Sequence, residues 1–331
     1  MEVEQNGAGG QQETDRRQLT SRRADAGAFG DSLVSYLRAG DRAAVIVLLD
    51  EMSHDAASFL SSEGEGAREE IGILLDRLAC AAAAAVRFSE GRLLESCVRT
   101  ALAVYMSGFD EDGGQRNARA QGGRISSPLL WFELAQHLFA VGGLAVRRGD
   151  WGAVRQLALQ MTTDRLSVSR GEGKYWLRHA VSEASNAGII NISDARRGQE
   201  VLLIKGALEL VEREPCLRPE LPAGDYRLLR SLLGFDLLAG LVVSADAGGF
   251  DTGRVYPSFI YWNIYEVEPL LARLLRDGEM RAGLFPGGLE DAFLAKVLRG
   301  LGRLAERRSD LWSYWGKAAS DFLDKYPDTD R

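Results

Sequence analysis

The residues best spaced for catalysis lie in the stretch TDRLSVSRGEGKYWLRH, residues 163–179. Asp164 and Glu172 followed by Lys174 form a carboxylate, carboxylate, lysine set. Two acids of this kind can hold Mg²⁺ while a lysine steadies the attacking water, which is the chemistry of phosphodiester cleavage. That chemistry is normally built on adjacent strands, and alternating β-branched runs between turn residues are almost absent from this sequence. The Gly171-Glu172-Gly173-Lys174 run fails as a phosphate loop, because the first glycine of that motif and the Ser/Thr after the lysine are both missing.

Ser32 sits in a Gly-Asp-Ser-Leu block that resembles the nucleophile block of GDSL-type serine hydrolases. That resemblance implies a base from an Asp-x-x-His pair, and none of His54, His137 or His179 has an Asp three residues before it. A serine without a base is a poor nucleophile at neutral pH. Asp31 or Ser32 is instead read as the N-cap of a helix carrying Leu33 to Leu37. His54-Asp55 resembles the pair of HD phosphohydrolases but has no upstream ligand histidine, and no histidine has the arginine spacing of HEPN ribonucleases. Three isolated histidines do not compose a metal site, and no motif calls for a cofactor. His54 reads as a solvated residue and His137, inside LLWFELAQHLFAV, as a hydrogen-bonded core histidine.

These residues must be positioned by helices. Apolar residues recur at spacings of three and four, as in Val201, Ile204, Leu208 and Val211. Helix starts are marked at Ser127-Pro128, at Asp150 and at Ser193-Asp194. The expected fold is all-α, an irregular α-solenoid or multi-helical bundle of stacked helical hairpins. Residues 1–27, poor in large apolar side chains, are expected to be a flexible tail. Residues 28–106 should form N-terminal hairpins, 107–127 a glycine-rich loop or linker, and 128–331 a C-terminal helical domain.

Residues 37–52 and 146–161 align without gaps, sharing Gly-Asp at a turn, an Ala-Val pair and a closing Met. Glycine tolerates the left-handed conformation that ends a helix, and the following Asp can cap the next one. Residues 88–98 and 274–285 look like looser versions, around Gly91 and Gly278. The Gly142–Met161 stretch resembles a tetratricopeptide hairpin, with small residues in the first helix, Gly-Asp-aromatic at the turn and an apolar second helix. It departs from that pattern at Val154 and Met161, where alanines are usual, and the uneven glycine positions define no repeat length. Ala79–Val86 and Gly142-Gly143 should let neighbouring backbones approach closely.

The chain has 331 residues, 46% of them apolar, and a net charge of −7, which weighs against a phosphate-binding surface. A basic set comprising Arg147, Arg148, Arg196 and Arg197 is the only candidate for nucleic acid. The longest uncharged run, Leu134 to Val146, is 13 residues, short of the roughly 20 a membrane span needs. No secretion signal is recognisable, and Cys80, Cys97 and Cys216 are expected to be reduced thiols of a cytoplasmic protein. A concentration of aromatic residues, Phe259, Tyr261, Trp262 and Tyr265, lies on a helix expected to begin at Pro257, with Pro269 kinking it or starting another. These aromatics are either core or the lining of a groove or oligomer interface. The combined reading is a non-catalytic scaffold, adaptor or regulatory subunit of a bacterial multiprotein system, in signalling or defence, binding another protein, a peptide or itself.

Overall fold

The computed structural model describes residues 25–61, 67–106, 127–160, 162–163, 174–175, 207, 226–246, 264–306 and 317–326. Among these residues there are eleven helices. The first, α1, spans 25–39. It is followed by α2 (Arg42–Ser61), α3 (Ala67–Phe88), α4 (Gly91–Met106), α5 (Ser127–Arg148) and α6 (Trp151–Gln160). After a short ladder come α7 (Tyr226–Asp246), α8 (Ile264–Arg276), α9 (Gly278–Leu284), α10 (Asp291–Glu306) and α11 (Lys317–Lys325). The protein is all-α apart from that ladder, in which β1 (Thr162–Thr163) pairs antiparallel with β2 (Lys174–Tyr175), Thr163 opposite Lys174. No described helix is long and apolar enough to cross a membrane.

Helix α1 starts earlier than the sequence suggested. Ala26, Phe29 and Leu33 are buried at spacings of three and four, so the apolar stripe begins upstream of Asp31 and Ser32. Both residues are exposed and mid-helical, and neither is an N-cap. The helix also takes in residues 25–27 of the segment assigned to the tail.

Three helix-to-helix turns share one hydrogen-bond pattern. Asp41 N–H donates to Tyr36 O at 3.0 Å, Glu90 to Ala85 O at 2.8 Å and Asp150 to Ala145 O at 3.0 Å, each reaching back five residues. The preceding residue in each case has positive φ: Gly40 at 69°, Ser89 at 54° and Gly149 at 71°. This is the Schellman closure, which satisfies carbonyls the helix end leaves open. Asp41 Oδ1 then accepts from Ala44 N–H at 3.0 Å and Asp150 Oδ1 from Ala153 N–H at 2.9 Å, each cap contributing about 1 kcal/mol. The Gly-Asp reading therefore holds in both aligned copies. In the third turn the left-handed residue is Ser89, and Gly91 is already the first residue of α4. The fourth differs in kind. Asp277 precedes Gly278, its Oδ1 accepts from Glu279 and Met280 N–H, both at 3.0 Å, and no residue there has positive φ.

α3 packs on α2, α4 and α5, and α7 lies across α5 and α6. α4 and α9 flank α6, and α8 contacts α7, α9 and α11. Residues 78–86 of α3, 137–146 of α5 and 231–244 of α7 are buried without interruption, so these three helices are covered on every side in those stretches. Small residues allow it. A Cβ on Gly142 would lie 2.4 Å from the Phe235 ring, and one on Gly143 2.6 Å from Leu232 Cδ2, so α7 packs directly on the backbone of α5. Pro269 lies inside α8, exposed, and the helix continues through it to Arg276 rather than restarting there.

Candidate functional site

The expected chemical residues fall into four groups. Ser32 and His54 lie on the exposed sides of α1 and α2. His137 is buried. Asp164, Glu172, His179, Arg196, Arg197, Phe259, Tyr261 and Trp262 lie outside the described residues. Lys174 is on β2 and Tyr265 on α8. Lys174 lies in the two-residue ladder, opposite Thr163. Among the described residues no group of three or more His, Cys, Asp or Glu could hold a metal ion.

His137 meets a partner that the linear sequence hides. Its Nε2 is 2.9 Å from Asp76 Oδ1 on α3, and its Nδ1 is 2.6 Å from Glu133 O, one turn back on α5. Side-chain exposure is 4% for His137 and 0% for Asp76. A carbonyl only accepts, so Nδ1 carries a proton. Both ring nitrogens are engaged and shielded from solvent, which makes this pair a clasp between α3 and α5 and leaves it no open position for a substrate.

The next residue, Arg77, faces the opposite neighbours. Its Nε and Nη2 donate to the two oxygens of Asp25 at 2.7 and 2.8 Å, and Nη1 donates to Asp55 at 2.8 Å. The guanidinium lies 5.8 Å from the Phe29 ring centroid. These contacts fasten α1 and α2 to α3 through one bidentate fork. The Asp25 hydrogen bond chiefly, against the opposing effect of burial, raises the arginine pKa further above its already high value. Arg148, one of the basic residues considered for nucleic acid, donates from Nη2 to Arg87 O at 3.0 Å, satisfying a carbonyl in the last turn of α3.

The cysteines depart from the expectation of three reduced thiols, since Cys80 is disulfide-bonded. Cys97 is a free thiol, and its burial pushes its pKa up to about 12, which leaves it un-ionised and a poor nucleophile at neutral pH.

Among the described residues the exposed surface carries one apolar feature. The large hydrophobic residues exposed among those described are Tyr36, Ile46 and Val47, all on the α1–α2 hairpin, and Ile46 and Val47 are each 57% exposed. The opposite side of α2 is conventional, with Val45 and Met52 buried and Leu48 and Leu49 packed against the core. The reason is visible in the sequence. Ala43 to Leu49 is an unbroken apolar run of seven residues, which covers more than a full helical turn, so a helix buried on one side must turn some of them outward. That signal could have been found by asking where seven consecutive apolar residues go on a surface helix.

Comparison of the chain with protein-family models, with curated proteins and with solved structures returns no match.

Proposed function

We propose that this protein is a non-catalytic interaction subunit, a scaffold or adaptor, built as a compact bundle of stacked helical hairpins. Its contact surface is the outer side of the α1–α2 hairpin. One observation carries the reading: the exposed large apolar residues of the described structure are gathered on that single hairpin. Apolar groups clustered at one exposed place mark interaction surfaces more often than scattered ones do. The Arg77 fork supports the reading by holding the hairpin rigidly on the core, so its outer side is presented in one orientation. A bundle is preferred to an open solenoid because α3, α5 and α7 are covered on every side, leaving them no concave face to offer a peptide.

The test is recovery of the tagged protein from its native cells, wild type beside Ile46→Glu/Val47→Glu. Both positions are exposed, so the variant should fold normally by circular dichroism. The expected result is loss of a stoichiometric protein partner from the variant eluate. An unchanged partner set would reject this surface.

A second reading draws on the short ladder, which sets Lys174 opposite Thr163, the neighbour of Asp164 in sequence. A metal-dependent phosphodiesterase built on Asp164, Glu172 and Lys174 should show Mg²⁺-dependent turnover of a phosphodiester substrate that disappears in Glu172→Ala. Turnover unaffected by that substitution would remove these residues from the chemistry.

A further inference from the structure

We infer that the partner on the outer face of α2 is a second copy of this chain, packed antiparallel about a two-fold axis at Ile46. The inference rests on the interaction reading above and gives its surface an occupant. Arg42, Ile46 and Asp50 are spaced by four residues and all three are exposed. They form one ridge along the helix, with Arg42 and Asp50 each about 6 Å from Ile46 along the axis. Ala43 and Val47 form the adjacent exposed ridge.

Neither Arg42 nor Asp50 makes an ion pair among the described residues. The order positive, apolar, negative is self-complementary in one orientation. Antiparallel pairing across Ile46 stacks the two Ile46 side chains on the axis and brings Arg42 of each copy level with Asp50 of the other. Parallel pairing would set Arg42 against Arg42 and Asp50 against Asp50. A two-fold interface requires the same patch on both subunits, and this patch matches itself. A partner of different sequence would need its own complementary acid and base, whereas a second copy already carries them.

The experiment measures molar mass by analytical ultracentrifugation of the purified full chain across a concentration series. The wild type is expected to show a reversible monomer–dimer equilibrium. Ile46→Glu sets two carboxylates face to face on the axis and should abolish the dimer at every concentration where the wild type forms it. Arg42→Glu alone and Asp50→Arg alone should each weaken the dimer roughly tenfold, since each removes two symmetry-related pairs and adds like-charge contacts. The double variant Arg42→Glu/Asp50→Arg should restore it to within about threefold of wild type, because the reversed charges again match.

Any of three results would overturn the inference: a wild type that stays monomeric at the highest attainable concentration, a dimer indifferent to Ile46→Glu, or a charge-reversed double variant no better than its singles. A monomeric wild type whose stoichiometric partner from native cells is lost in Ile46→Glu/Val47→Glu would overturn the second copy while leaving the interaction reading intact. A monomer with an unchanged partner set would reject both.

Discussion

Asp76→Ala is expected to lower the stability of the protein by about 3–5 kcal/mol, measured as a shift in the midpoint of chemical denaturation. The magnitude follows from where the pair sits. Asp76 and His137 are both nine-tenths or more buried, and the 2.6 Å contact of Nδ1 with the Glu133 carbonyl commits one imidazole proton. Nε2 therefore depends on the 2.9 Å contact with Asp76. Without the carboxyl, Nε2 faces either an unmatched charge or an unfilled lone pair, in a site that water does not reach, and a cavity opens in α3 beside it. His137→Ala should be similarly severe. The double variant should cost distinctly less than the sum of the singles, because the group stranded by each substitution is absent from it. Additive losses would show that the two side chains stabilise the fold independently and that the α3–α5 clasp is not a unit.

The second large effect is expected at Gly142. Its missing Cβ faces three atoms of the Phe235 ring at 2.4 to 2.5 Å, distances no real carbon pair tolerates. Phe235 is fully buried and already stands edge-on to Phe139, with centroids 5.6 Å apart, so the ring has no free direction in which to retreat. Gly142→Ala gains about 1 kcal/mol of helix propensity, yet overpacking at this separation should outweigh it and leave a net loss of about 2 kcal/mol. Gly142→Val, with a branched side chain at the same point, should cost about 4 kcal/mol or more and impair expression of folded protein. Gly143→Ala is the control. Its Cβ would meet one methyl at the end of Leu232 rather than three atoms of a rigid ring, so the change should cost less than Gly142→Ala and lie within about 1 kcal/mol of neutral. Partial recovery of Gly142→Ala by Phe235→Leu would confirm that the ring contact sets the cost.

How far each feature could be read from the residues depended on its range along the chain. The hairpin turns at Gly40-Asp41 and Gly149-Asp150 were readable because cap and closure involve residues within five positions of one another. Ser89 was not readable as the third left-handed residue. A nearby glycine, Gly91, offered the cheaper conformation, yet the left-handed residue is Ser89 and Gly91 opens α4. The start of α1 was missed because a glycine-rich prefix masked the buried positions Ala26 and Phe29. The contact surface was only half visible. The apolar run Ala43 to Leu49 showed that some residues must face outward, while the neighbours of α2 determined that these are Ile46 and Val47.

By itself, the sequence determined the all-α class, the two Gly-Asp turns and the close approach of backbones at Gly142-Gly143, because backbone propensity, capping and side-chain size act locally. The tertiary structure alone decided that Asp76 meets His137, 61 residues away, and that adjacent Arg77 turns to α1 and α2 instead. Two consecutive charged residues on one helix point some 100° apart. Which neighbour each one reaches is set by the packing of whole helices, and that packing is a property of the assembled core.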